Sequence, residues 1–270
     1  NERIARLPSV GELFIPPNCD DRGISAGAAA LLHSALTGTP LHFPDVSPLE
    51  RRSPYKGSPL IHDRKDAGPG IRRAGLDPEE GASIELVATA LLDGCTVGLV
   101  RGRSEIGPRA LGNRSILAFP GDPEMKDRIN RTIKHREWWR PFAPVVRSPD
   151  TGRFFDMPRE DSYMLTGGLV RPGYRDSLAA ITHVDGTARV QSLLHRDDHP
   201  VLWDLLTALD RRTGVGVLLN TSFNAGGKPL VSRASEAIGL LAATGLDALW
   251  MDDVLYWKET VPAFAGLPPS

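Results

Sequence analysis

Two stretches, "CTVGLV" (95–100) and "VGVLLN" (215–220), constrain the fold more than anything else in this sequence. Each is an unbroken apolar run, too short for an interior helix and of the length of a strand buried within a sheet. Around them lie segments with helical spacing. "DPEEGASIELVATALLDG" sets Ile84, Val87, Ala88 and Leu91 on one face, with Asp77 as N-cap, Pro78 at the first helical position, Glu80 closing a capping box and Gly94 as stop. "HPVLWDLLTALDRRTG" turns Leu202, Leu205, Leu206 and Leu209 inward and stops at Gly214. "DPEMKDRINRTIK", capped by Asp122 ahead of Pro123, puts Met125, Ile129 and Ile133 inward, and "SRASEAIGLLAATG" ends at Gly245. Further strands are expected at "PFAPVV", where Pro144 favours an edge, at "SYMLTGGLV" (162–170), at "TARVQSLL" (187–194) after a turn-like "HVDG", and at "ALWMDDVLYW". Helices and strands alternate, and some connections are short, which gives an α/β fold with a mixed sheet.

The regular pattern begins at Asp77 and runs to about residue 260, leaving 261–270 as a tail. Residues 1–38 read differently, as an extended apolar segment ("ELFIPPNCDD") and a small-residue helix ("ISAGAAALLHSAL") stopped by Gly38. Between them, residues 39–76 are rich in proline, glycine, arginine and lysine, as expected of a linker or a surface-draped connection. Of the 270 residues 41% are hydrophobic, enough for a core, and the net charge of −1 gives no global attraction to nucleic acid or anionic membrane. Any basic site must be local. Cys19 and Cys95 are far apart and form no metal or disulfide spacing, so a reducing, cytoplasmic compartment is expected. No run is long enough to span a membrane, and a chain beginning with Asn1 is expected to be a fragment or a processed product.

Both buried runs empty into polar loops. "RGRSEIGPRALGNRS" holds Arg101, Arg103, Arg109 and Arg114; "NTSFN" holds Asn220, Thr221, Ser222 and Asn224; and "KHREWWRP", after a helix, holds Lys134, Arg136 and Arg140. Arginine forks match phosphate or carboxylate oxygens, amides and hydroxyls add neutral hydrogen bonds, and glycine lets backbone approach, so the three loops together describe an anion site. The bland alternative is ordinary solvated surface, but "GPRALGNRS" has no helical or alternating face on which arginines would simply point outward. In "EWWRPF", Trp138, Trp139 and Phe142 read first as core and second as a base-stacking platform. His183 and Asp185 are either an acid/base pair or parts of a turn. A Walker-type phosphate loop, a nucleophile elbow and an H-E-x-x-H helix are all missing from the sequence.

"GRSEIGPRALGNRSIL", "KHREWWRPFAP", "HVDGTARVQ" and "LLNTSFN" resemble, in order, the C-terminal part of the O-carbamoyltransferases of nodulation-factor and antibiotic biosynthesis. The resemblance runs from about Gly94 to Trp257 and implies a YrdC-like domain, an open twisted mixed sheet with a concave basic face. Such a domain is expected to use ATP, with Mg²⁺, and carbamoyl phosphate to make carbamoyl-adenylate, the first half of O-carbamoylation of a hydroxyl on a small-molecule acceptor. By the same resemblance Lys134, Arg136, Arg140, Thr221, Ser222 and Asn224 are assigned to ATP. Arg103, Arg109, Arg114, His183 and Arg189 are assigned to carbamoyl phosphate, and Arg109, Arg114, Lys134 and Arg136 are the expected catalytic set.

"PPNCDDRGISAGAA" resembles the end of the family's N-terminal domain, an actin-like-fold carbamoyl transferase that binds iron(II) or another divalent metal. Asp21 matches its aspartate ligand, yet the H-x-x-x-H that such a domain carries far upstream is not matched, since no histidine precedes Asp21 in this sequence, so the transfer step is expected to need that further domain in cis or in trans. Lys228 also departs from the family, which usually carries an acidic residue there. Neither membrane nor nucleic acid is an expected partner. The competing reading is a non-catalytic YrdC-like module that binds a nucleotide or RNA.

Overall fold

The computed structural model describes residues 1–11, 13, 15–41, 53–64, 66–77 and 79–264. Helix α1 (Glu2–Ala5) and the small-residue helix α2 (Asp21–Thr37) come first. The body then runs β1 (Ile71–Gly75), α3 (Gly81–Leu92), β2 (Val97–Val100), β3 (Arg114–Ala118) and α4 (Met125–Ile129), which widens into a π turn over Asn130–Lys134. It continues through β4 (Ala143–Arg147), α5 (Ser148–Phe154), β5 (Phe155–Asp156), β6 (Gly167–Val170), β7 (Thr187–Arg189), β8 (Gln191–Leu193) and α6 (Pro200–Thr213). The last elements are β9 (Val217–Ser222), α7 (Ala234–Ala243), β10 (Ala248–Met251) and β11 (Val254–Lys258).

Eight strands make one mixed sheet in the order β1-β11-β10-β2-β3-β9-β4-β8, parallel at β10/β2 and β4/β8 and antiparallel elsewhere. A small antiparallel sheet, β5-β6-β7, lies apart. The unbroken apolar runs are explained by cover on both faces. Val97 and Leu99 of β2, Leu218 of β9 and Trp250 of β10 join one core cluster, whereas Val100, Val217, Leu219 and Leu249 join the other. The first face is covered by Ile84, Val87 and Leu91 of α3 with Leu202, Leu205, Leu206 and Leu209 of α6; the second by Met125 and Ile129 of α4, Ile238 and Leu241 of α7, and Val170 and Ala188 of the small sheet. Burying one such leucine contributes about 1.5–3 kcal/mol, so the helices are held by these stripes more than by propensity. Gly214 ends α6 at φ 72°, a left-handed residue whose N–H bonds the Asp210 carbonyl at 2.8 Å.

Several local expectations are corrected. The Asp77–Glu80 capping box does not form: Asp77 Oδ1 accepts the Glu79 N–H at 2.8 Å, an Asx turn that delays α3 to Gly81, and Pro78 lies outside the described residues. Asp122 does the same with Glu124 N–H at 2.9 Å, so α4 starts at Met125. Pro144 does not mark an edge, because β4 is paired on both sides; the ladder to β8 begins only at Val145. "SYMLTGGLV" is a strand only from Gly167, since the Asp161 carboxylate takes the N–H groups of Tyr163 and Leu165 and bends the chain at Met164, φ 57°. "TARVQSLL" breaks at Val190 into strands of two different sheets, and "ALWMDDVLYW" folds into a hairpin at Asp252. Within the segment read as a connection, residues 71–75 pair with β11 and Leu60 enters the core.

Candidate active site

The π turn ends in a left-handed residue, His135, and delivers Lys134 into the interior beside the end of β9. Lys134 is 2% exposed. Its Nζ contacts the Ser222 carbonyl, Ser222 Oγ at 3.0 Å, the Asn224 carbonyl at 3.1 Å and Asn224 Oδ1 at 2.7 Å. Ser222 Oγ in turn donates to Asn224 Oδ1 at 2.7 Å. No ion pair to Lys134 occurs among the described residues, and burial followed by the nearby Arg136 charge brings its pKa down to about 7. The "GG" of this loop has a steric reason: a Cβ on Gly226 would lie 2.4 Å from the Lys134 carbonyl oxygen.

Arg136 donates from Nε to Asn130 Oδ1 at 2.7 Å, and its guanidinium lies over the Phe142 ring, 4.9 Å from the centroid. Burial, then Arg140, lowers its pKa. Asn130 is fully buried and also donates from Nδ2 to the carbonyls of Trp138 (3.1 Å) and Arg140 (2.9 Å), which fixes the whole 136–140 loop. That arrangement turns both indoles outward. Trp138 and Trp139 are 67% and 60% exposed, so the core reading holds for Phe142 alone. Arg140 is exposed and paired with Glu137 at 2.9 Å.

Phe142 also connects to the second group, because His183 Nε2 lies 3.4 Å from its carbonyl while Nδ1 lies 3.2 Å from Thr187 Oγ1. Burial is the largest cause lowering the His183 pKa, with Arg189 and Lys126 acting in the same direction. Asp185 serves the turn: its Oδ1 accepts from Thr187 N at 3.0 Å and Thr187 Oγ1 at 2.7 Å. Arg189 has its pKa lowered to about 10 by burial and by the charge of Arg109, so two guanidinium groups from separate segments meet here. Its Nε is buried with no hydrogen-bond partner among the described residues.

The other arginines of the opening loop divide. Arg114 is fully buried and donates to the carbonyls of Arg101 (2.5 Å), Asn113 (2.8 Å), Gly102 (2.9 Å) and Val231 (3.2 Å). Its donors are spent on backbone, which makes it a brace for the loop and not a ligand contact. Beneath it the buried Glu105 accepts, through Oε1, the N–H groups of Leu111 (2.8 Å), Asn113 (2.8 Å) and Arg114 (3.2 Å). Arg103 is exposed and reaches the Lys56 carbonyl at 3.2 Å. Gln191 ties Asn220 (2.8 Å) to the Leu111 carbonyl (2.7 Å), joining β9, β8 and the loop; Thr221, next on β9, is half-buried. Asn130, Glu105 and Gln191 were not singled out from sequence. The legible hint for Asn130 was its i, i+4 spacing to Lys134; Glu105 in a glycine-rich loop offered none.

A cavity of about 690 Å³ opens between this loop and the end of β9, lined by Glu105, Gly107, Pro108, Ser222, Asn224 and Lys228. Lys228 adds positive charge where an acid was expected. Asp21 is exposed in the first turn of α2, and among the described residues no three His, Cys, Asp or Glu groups are placed to hold a metal. The described residues therefore do not fit the divalent metal that the resemblance around Asp21 implies.

The family described as carbamoyltransferase C-terminus matches residues 88–258. Nodulation protein NolO of Bradyrhizobium diazoefficiens is 39% identical over 272 residues, covering 96% of this chain and 48% of that protein. The 3'-hydroxymethylcephem-O-carbamoyltransferase of Amycolatopsis lactamdurans is 37% identical over 259 residues, covering 96% of this chain and 46% of that protein. Among solved structures, full-length HypF in its phosphate- and nucleotide-bound form aligns with a TM-score of 0.45 and 20% identity, over 72% of this chain and 23% of that one. This chain spans less than half the length of these relatives. By sequence and by the order of its motifs, it belongs to the carbamoyltransferase C-terminal family.

Proposed function

We propose that this domain activates carbamoyl phosphate with ATP. Carbamoyl phosphate is hydrolysed to carbamate and phosphate; a carbamate oxygen then attacks the α-phosphorus of ATP, the bond from that phosphorus to the β-phosphate bridge breaks, and pyrophosphate leaves. Carbamoyl-adenylate is the product. Negative charge gathers on phosphoryl oxygens along this path, and fixed cations stabilise it without a protein nucleophile. Magnesium bound to ATP would supply further neutralisation of phosphate charge.

One observation carries the reading: Lys134 is a buried cation with neutral oxygens around it and no carboxylate ion pair among the described residues. Such a group costs free energy until an anion arrives. Lys134, Arg136, Ser222 and Asn224 would hold the ATP phosphates, with Arg140 at the rim, while Arg109, Arg189 and His183 would hold carbamoyl phosphate beyond Phe142. Transfer to the hydroxyl acceptor would draw on a domain outside this chain, together with its metal. The two free cysteines accord with a cytoplasmic setting.

The test is pyrophosphate release by the purified domain supplied with carbamoyl phosphate, ATP and magnesium. Lys134→Ala is expected to lose at least tenfold, about 1.4 kcal/mol of transition-state stabilisation. Undiminished turnover by that variant would sink the assignment. The exposed Trp138 and Trp139 favour a second reading, an RNA-binding module, whose mark would be salt-steep RNA binding with no pyrophosphate release.

A further inference from the structure

A second cavity, of about 540 Å³, opens where the end of β2 and Asn113 meet the start of α6, with Arg101, His199 and Tyr55 in its wall. Cavities of about 300–1,000 Å³ hold small molecules, and this one shares no lining residue with the cavity at Ser222. Its central group is Arg101. The backbone there is tied down on both sides, the Arg101 N–H donating to the Asn113 carbonyl at 3.0 Å and the Arg101 carbonyl accepting from Arg114. Among the described residues, however, the Arg101 guanidinium makes no hydrogen bond and no ion pair, and its Nη1 is buried. Burial lowers its pKa; the charges of Asp252 and Glu79 act the other way, although neither carboxylate comes within ion-pair distance.

Beside it stands another donor without an acceptor. His199 is 4% exposed and caps α6, its Nδ1 accepting the Leu202 N–H at 3.2 Å. That bond assigns the ring proton to Nε2, and burial, then the Arg101 charge, brings the His199 pKa down to about 4, so the ring is a neutral donor at neutral pH. Nε2 is buried against the Gly112 backbone, where a Cβ would lie 2.6 Å from it, and no acceptor meets it in hydrogen-bonding geometry. The neighbouring charges are already committed: Asp198 Oδ2 accepts the His195 N–H at 2.8 Å, and Arg196 is held by Asp204 at 2.6 and 2.9 Å. We propose that this cavity binds a small oxyanion, a carboxylate or a phosphate, on Arg101 with His199 as the second donor. The positive end of the 14-residue α6 adds to the attraction. Glu79 and Asp198 in the same wall limit the charge it accepts, which favours a compact mono- or dianion over a polyphosphate. This site uses none of the residues assigned to carbamoyl phosphate activation and stands or falls separately from it.

The experiment is an NMR titration of the isotope-labelled chain that reads the Nε2–H of His199, a signal assigned by its loss in His199→Asn, which keeps an N-cap acceptor. The probes are inorganic phosphate, succinate and tripolyphosphate, each added also to Arg101→Met, Arg101→Gln and Lys134→Met. Phosphate or succinate is expected to shift the His199 signal saturably, the tighter of the two naming the class and equal binding marking a general oxyanion site; tripolyphosphate should bind more weakly. Arg101→Met should weaken binding by at least about tenfold, the scale of one lost charge-assisted hydrogen bond, and Arg101→Gln, a neutral substitute that stays polar, should do the same. Lys134→Met should leave it unchanged. Full affinity in either Arg101 variant, or no saturable shift with phosphate and succinate, overturns the proposal. So does tighter binding of tripolyphosphate, or a shift abolished by Lys134→Met, which would place the ion at the Ser222 cavity instead.

Discussion

Arg114 and Lys134 are both cations with almost no exposure, and they solve that problem in opposite ways. Arg114 gathers four backbone carbonyls around a planar fork, with the Glu105 carboxylate close behind. Lys134 meets Ser222 and Asn224, both of which line an open cavity, and only neutral oxygens neutralise nothing. Burial of a charge is thus not by itself a sign of function; what matters is whether a carboxylate stands beside it and whether its partners border a cavity. The first arrangement is finished and structural. The second, on the function proposed, is completed by an anion.

This contrast can be broken most forcefully at Arg114. Arg114→Met strips the carbonyls and Glu105 of their partner and is expected to cost about 3–5 kcal/mol of stability, read by urea denaturation. A loss below 1 kcal/mol would mean that the loop holds itself. Lys134→Met should act with the opposite sign. The Lys134 pKa falls from 10.5 unfolded to about 7 folded, so charging it is a folding penalty, complete below pH 7 and fading as pH rises toward 10.5. Removing the amine should therefore stabilise the protein by roughly 5 kcal/mol at pH 6 and by roughly 1 kcal/mol at pH 10, less whatever hydrogen bonding is lost. A variant destabilised at every pH would place Lys134 in the same class as Arg114. The mildest expected effect is Asn220→Ala, which unpairs Gln191 and costs about 1–3 kcal/mol while leaving both cations in place.

The sheet and its two helical layers were legible because α3, α6 and the buried runs obey simple periods. Helix starts were less legible, since Asp77 and Asp122 close Asx turns as readily as they cap helices. At the site, Lys134, Ser222 and Asn224, from two motifs far apart in sequence, are hydrogen-bonded to one another. The division of the arginines could not be read, because Arg114 opens strand β3 and its guanidinium folds back onto carbonyls distant in sequence, Val231 among them. Nor could the outward turn of Trp138 and Trp139, which follows from one asparagine side chain bonding two carbonyls eight and ten residues ahead.

The pairing of β1 with β11 bears on how the chain reaches this structure. Ile71 meets Lys258 and Gly75 meets Val254, so β1 has no partner until nearly the whole domain has been synthesised. At about 5–20 residues per second that wait lasts on the order of 10–40 s. Throughout it an early strand would present open edges to other nascent chains. Its sequence, "IRRAG", carries two arginines where a stickier strand would carry valines, a charge guard against premature pairing.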